Sequence, residues 1–130
     1  MKGVDLGWVA GLFEGEGTIE LTDRGTANPR LAVVLSMSDR DVIERLHQTV
    51  GCGVVNQIPP REPHHKMQWR WQANNVHAGK FLEAIGPLLG ERRRERANRA
   101  LCQWHDQYRV MPGRWAVVQQ ESMERMPTCV

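Results

Sequence analysis

The spacing of apolar positions changes along the chain, and each change marks an element. Leu6, Val9, Ala10, Leu12 and Phe13 recur at three- and four-residue intervals, which predicts a helix from Gly3 to Glu14, stopped at Gly15 or Gly17. From Thr18 to Arg24 the period is two, with Ile19 and Leu21 on one face and Thr18, Glu20, Thr22 and Arg24 on the other, the pattern of a half-buried strand. "GTANP" reads as a turn into a second strand over Arg30–Ser38, so the pair forms a hairpin. Ser38-Asp39 supplies N-cap chemistry for a helix over "RDVIERLHQTV", in which Val42, Ile43, Leu46 and Val50 share a face and which Gly51 ends. A second hairpin, "GVVNQI" and "KMQWRWQAN", surrounds the Pro- and His-rich loop "PPREPHH". A third helix is predicted over "VHAGKFLEAIGPLL", with Pro87 at its end or at a kink. A fourth is predicted over "ERRRERANRALCQWHDQYR", with Ala97, Ala100, Leu101 and Trp104 as its apolar stripe. The order helix, hairpin, helix, hairpin, helix, helix predicts an α+β fold with a four-stranded antiparallel sheet.

The chain of 130 residues suffices for one domain, residues 1–110, followed by a tail, 111–130, with no clear pattern. Its 41% hydrophobic and 25% charged residues are ordinary for a soluble globular protein. No apolar run approaches the roughly 18 residues of a membrane span, which excludes a membrane partner. The start, Met1-Lys2-Gly3-Val4-Asp5, lacks a signal-peptide pattern, and a cytoplasmic location, at the nucleoid, is expected. Cys52, Cys102 and Cys129 are odd in number and far apart, so reduced thiols are expected rather than a disulfide framework or a zinc site. His64-His65 lacks further ligands at metal-binding spacing, and His47, His77 and His105 read as structural residues on helices.

The net charge of +2 says little, but "ERRRERANR" carries five arginines, a side chain suited to bidentate phosphate and guanine contacts. The first helix is stranger. Gly7, Gly11 and Gly15 are four apart and form one stripe about 12 Å long. Each interior glycine costs about 1 kcal/mol relative to alanine, and close packing against another helix, in the same chain or a second copy, offsets that cost. Glu14 and Glu16 stand at the helix C-terminus, where the macrodipole disfavours carboxylates. A bound hard cation such as Mg²⁺ or Ca²⁺ makes sense of them. Packing across a two-fold axis brings the two copies of the carboxylate together, a metal site suited to phosphodiester hydrolysis.

"VAGLFEGEG" (Val9 to Gly17) resembles the signature of the LAGLIDADG homing endonucleases, matching at Ala10, Gly11, Leu12 and Gly17 and conservatively at Val9, Phe13, Glu14 and Glu16. The order of elements that follows is similar to the family's αββαββα arrangement, so the resemblance covers about residues 5 to 105. It implies a saddle-shaped sheet with helices packed on one face and, because only one motif copy is present, a homodimer. The interface would hold Gly7, Ala10, Gly11, Glu14 and Gly15. The resemblance makes Glu16 the metal-binding carboxylate and Gly15 a carbonyl donor. Mg²⁺ is the expected cofactor, with Mn²⁺ or Ca²⁺ able to substitute for binding. It also makes Arg92 or Arg93 the basic residue that stabilises phosphate charge. The family's polar water-organising residue falls at Met37, which cannot do that work; Ser36, Ser38 or Arg40 stands nearby.

The resemblance further implies that the outward sheet face reads double-stranded DNA in the major groove. Strand alternation nominates Glu20, Thr22, Arg24, Arg30, Asn56, Gln68, Arg70 and Gln72 for that face, with Trp69 and Trp71 beneath the helices. Arg40, Arg61 and Lys66 complete the expected DNA-binding set. The resulting reading is a site-specific, divalent-metal-dependent, homodimeric endonuclease acting on a long pseudo-palindrome and encoded by a mobile intron or a free-standing gene. Its alternative is a non-cleaving nucleic-acid-binding protein on the same scaffold, an intron maturase or a DNA-binding regulator. Met37 favours that alternative and Glu16 argues against it. A purely structural protein dimerising through the glycine helix leaves the glutamates unexplained.

Overall fold

A computed structural model of the protein describes residues 1–22 and 29–108. Helix α1 (Gly3–Glu16) runs directly into strand β1 (Gly17–Thr22). Strand β2 (Arg30–Met37), helix α2 (Arg40–Val50), strands β3 (Val54–Ile58) and β4 (Gln68–Asn74), helix α3 (Val76–Ile85) and helix α4 (Glu91–Tyr108) follow. The strands form one antiparallel sheet in the order β1-β2-β4-β3. The predicted α+β architecture and both hairpins are therefore present. The outer part of the first predicted strand, including Arg24, and the tail 111–130 lie outside the described residues.

The helix ends follow local chemistry. Helix α1 runs through Gly15 and stops at Gly17, the second of the two expected stops: the Gly17 N–H still donates to the Phe13 carbonyl while Gly17 itself is extended. The third helix ends at Ile85 and continues as a 3-10 turn over Gly86–Leu88, since Pro87 brings no N–H to the helical ladder. Asp39 occupies the cap position of α2, but its carboxylate makes no cap hydrogen bond. At the other end of α2, Gly51 takes the left-handed conformation, φ 82°, that glycine supplies at a helix C-terminus.

All four helices pack on the sheet face that carries Leu31, Val33, Leu35, Trp71 and Ala73. Phe81 of α3 meets Phe13 of α1 edge-on at 5.2 Å and Trp71 of β4 at 5.0 Å, so one aromatic cluster joins both helices to the sheet. Each fully buried large apolar side chain contributes about 1.5–3 kcal/mol relative to leaving it exposed. The Trp71 indole N–H donates to the Cys52 carbonyl at 3.0 Å. Gly53 closes over that bond at φ 92°, where a Cβ would lie 2.5 Å from Trp71 Nε1, so glycine is required there.

Asn75 joins β4 to α3 at φ 53°. Its N–H donates to the Leu31 carbonyl at 2.6 Å and its Oδ1 accepts the Leu31 N–H at 3.2 Å, adding a side-chain rung beyond the last backbone pair of β2 and β4. Its carbonyl also accepts the Gly79 N–H and so starts α3. Replacing it by alanine removes the acceptor and keeps the unfavourable φ. Asn75→Ala is expected to cost about 1–3 kcal/mol, read as a lower urea midpoint at unchanged slope.

Cys52 is a half-buried free thiol whose pKa burial pushes up against a smaller opposing pull from Lys80, a setting that keeps it unreactive. Cys102 is disulfide-bonded, which corrects the expectation of reduced thiols for that residue. A disulfide needs proximity in space, and wide sequence spacing conceals it. His47 Nε2 bonds the Gly53 carbonyl at 3.0 Å and His105 is buried, whereas His77 is exposed and carries no structural load in the core. No helix among the described residues is long and apolar enough to cross a membrane.

Candidate active site and nucleic-acid interface

Glu16 is the last residue of α1 and is exposed. A Cβ on Gly17 would run into the Phe13 ring, so a side chain at 17 would force that buried ring to shift. The turn follows the helix without a loop and leaves the Glu16 carboxylate at the junction of α1 and β1. Carboxylate and helix-terminal carbonyl oxygens are hard donors that suit Mg²⁺ or Ca²⁺. Among the described residues no group of three or more His, Cys, Asp or Glu side chains is gathered for a metal ion. One chain therefore offers Glu16 and backbone oxygens of the final turn, including that of Gly15, and fits a cation only in part.

The start of α4 lies against this junction. Arg93 Nη1 donates to the Gly17 carbonyl at 2.5 Å and Arg96 Nη2 to the Ile19 carbonyl at 3.3 Å. A cleft of about 380 Å³ between α4 and β1 is lined by Gly17, Thr18, Ile19, Arg92, Arg93, Arg96 and Arg99, with no carboxylate in its wall. Of the two arginines nominated from the sequence, Arg93 is tied to the backbone. Arg92 is exposed and forms no hydrogen bond or ion pair within the described residues. Arg96 and Arg99 are additions that the sequence reading missed. Their signal was available, since 92, 96 and 99 stand at i, i+4 and i+7 on one helix face.

The sheet's second face carries the nominated polar residues together. The register sets Ser36 opposite Arg70 and Arg70 opposite Asn56, with Thr18, Val34, Gln72 and Val54 in the next row. Glu20, Thr22, Arg30, Asn56, Gln68, Arg70 and Gln72 thus share one face, away from the helices. Arg70 Nε donates to Ser36 Oγ at 3.4 Å and Gln72 Nε2 to Asn74 Oδ1 at 2.9 Å. Val54, 59% exposed, was not nominated; an apolar group on such a face suits a thymine methyl. Beyond the last row, Arg61, His64, His65, Lys66 and Gln68 surround a second cleft of about 510 Å³ in the β3–β4 loop. The two histidine rings there meet edge-on at 4.3 Å.

Near the end of β2 the Met37 side chain packs toward the core, as its place opposite Trp69 dictates. Arg40 is engaged by Glu44 at 2.8 Å and stacks 4.6 Å from the Trp69 ring centroid. Ser36 holds Arg70, and Ser38 is exposed.

The glycine stripe of α1 faces outward. Gly7, Gly11 and Gly15 are exposed, a Cβ at any of them would meet nothing within 4 Å, and Val4 beside them is 86% exposed. Nothing within the described part of the chain requires small residues there. Ala10 does not belong to this stripe: it is 3% exposed and sits in the core. Three residues advance a helix by about 300°, which turns Ala10 from Gly7 toward Phe13. Glu14 also does more than border the stripe, since its Oε2 accepts the Gly90 N–H at 3.2 Å.

No protein-family model and no curated protein matches the sequence. Solved structures match its fold. The homing endonuclease I-CvuI, crystallised with its target in the presence of Ca, is similar over 97% of this chain and 84% of its own, with TM-score 0.61 and 14% identity. The homing endonuclease I-TnaI matches over 92% of this chain and 95% of its own, with TM-score 0.53 and 16% identity. The I-LtrWI LAGLIDADG homing endonuclease, bound to target DNA, matches over 91% of this chain but 41% of its own, with TM-score 0.58 and 14% identity. The protein has the LAGLIDADG homing endonuclease fold. It spans nearly all of a single-domain example and less than half of a longer one.

Proposed function

We propose that this protein is a divalent-metal-dependent DNA endonuclease that acts as a homodimer and cuts both strands of a long, near-palindromic site. The observation that carries this reading is a cleft walled by arginines and free of carboxylates that begins at Gly17, the residue after the exposed Glu16, next to a polar sheet face. That the fold is shared with proteins crystallised on target DNA supports the same substrate. Residues 1–110 form the endonuclease domain, encoded by a mobile intron or a free-standing gene, and the nucleoid is where its substrate lies.

Glu16 and the Gly15 carbonyl would hold Mg²⁺, and Mn²⁺ or Ca²⁺ would substitute for binding. The ion supplies Lewis-acid stabilisation and an activated water when bound. Arg92 stabilises charge on the phosphate under attack, but it cannot give up a proton to the leaving oxygen, which falls to solvent. Glu20, Thr22, Arg30, Asn56, Gln68, Arg70 and Gln72 face base edges, Arg40, Arg61 and Lys66 face the backbone, and Arg24, outside the described residues, stays in the proposed DNA-binding set. The glycine stripe, open to solvent in one chain, packs against its copy, so two half-sites are read about one two-fold axis.

Selection from a randomised duplex library tests the reading: inverted half-sites should be enriched, and the enriched duplex should be cut when Mg²⁺ is added. Failure to enrich any sequence overturns it. Specific enrichment without cutting favours the second reading, a non-cleaving binder such as a maturase or regulator, to which Met37 at the water-organising position points. In the same assay Arg61→Ala and Lys66→Ala should weaken binding to all sequences alike. Each should reduce the salt slope by about 0.9, because a backbone contact carries no sequence information.

A further inference from the structure

We infer that Glu14 is a positioning residue that seats the first turn of α4, and Arg92 with it, against the end of α1 where Glu16 stands. The inference rests on the endonuclease reading above. Three ties join the segments in step: Glu14 to Gly90, Gly17 to Arg93 and Ile19 to Arg96. The second and third use arginine donors on backbone carbonyls along β1. The first is the only one of the three that reaches the very start of α4, two residues before Arg92.

Its chemistry explains an odd placement. A carboxylate at the C-terminus of its own helix is disfavoured, yet the same carboxylate lies at the N-terminus of α4, where unsatisfied N–H groups and the positive end of the dipole favour it. Gly90 fits the arrangement sterically. Its missing Cβ would lie 2.8 Å from Glu14 Oε1, so any side chain at 90 must displace the carboxylate. Glu14 and Gly90 thus form one contact across 76 residues of sequence, two positions from Glu16 on one side and two from Arg92 on the other.

The test uses the duplex selected with the wild-type protein, cut in Mg²⁺ under single-turnover conditions with protein saturating. Glu14→Ala and Gly90→Ala should each slow cleavage about tenfold or more while leaving affinity for the duplex within about twofold. Glu14→Gln keeps an acceptor oxygen of the same reach and should recover most of the rate, whereas the shorter Glu14→Asp should not. Hydrogen exchange at amides 90–94 should quicken in Glu14→Ala and stay slow in Glu14→Gln. Wild-type cleavage rates in both alanine variants overturn the inference. So does a parallel loss of rate, affinity and dimer in Glu14→Ala, which would place the residue at the interface between copies. If Glu14→Ala does not fold, Gly90→Ala decides alone. A wild-type protein that selects and cuts no duplex removes the endonuclease reading and this inference together, whereas cleavage unaffected by the variants removes only the inference.

Discussion

Glu16→Gln is expected to reduce DNA cleavage roughly a thousandfold or more while leaving binding to the selected duplex unchanged. The substitution preserves shape and removes charge at an exposed position, so folding has no reason to suffer. Among the described residues no other carboxylate stands ready to replace it: Glu14 accepts from Gly90, and the cleft beside the junction is lined by arginines, Thr18 and backbone. Without the charge a divalent cation loses its one anionic protein ligand from each chain. Arg92 and its neighbours then still attract the phosphate backbone, which is why affinity persists. Filter binding in Ca²⁺ and gel-resolved cleavage in Mg²⁺ separate the two quantities. Cleavage that survives in the variant removes Glu16 from the metal site.

Gly11→Leu has the second large expected effect. The new side chain meets nothing within the chain, and leucine is a better helix former than glycine by up to about 1 kcal/mol, so the monomer should be no less stable. Between two copies the same side chain holds the helix backbones apart. Light scattering should therefore show the 14.9 kDa monomer at micromolar concentration, where the proposed wild-type dimer should give twice that mass. Affinity for a two-fold site should fall by about two orders of magnitude, because the second half-site is no longer tethered to the first. A variant that stays dimeric and binds normally shows that the stripe is not the interface.

What could be read from the sequence is mostly what short-range pattern determines. Alternation in "TIELT" and "QWRWQAN" sorted Glu20, Thr22, Gln68, Arg70 and Gln72 correctly onto one face, because the strand period is two whatever the sheet order. Helix α4 showed its stripe for the same reason: Ala97, Ala100, Leu101 and Trp104 are all buried. The adjacency of β2 and β4 had no local signal, since it pairs strands from different hairpins.

The errors are also local in cause. The resemblance places Ala10 in the interface with Gly7 and Gly11, whereas its rotation about the helix axis puts it in the core. Asp39 had the right chemistry for a cap and the right position, yet its side chain makes no such bond. The Glu14–Gly90 contact and the difference between Arg92 and Arg93 depend on how α4 docks on β1, which residues 76 apart in sequence cannot announce. Met37 is the residue whose sequence-level oddity the structure leaves in place, for it turns inward beside Trp69.

Cleavage of both DNA strands through a metal held by Glu16 is the proposal on which the other expectations depend. A strand-resolved single-turnover assay on the selected duplex tests it most directly, with each strand labelled separately and Mg²⁺ added to the preformed complex. Scission of both strands is expected at positions related by the site's two-fold axis, with none in EDTA and none in Glu16→Gln. A stable, sequence-specific complex that leaves both strands intact in Mg²⁺ and Mn²⁺ contradicts it.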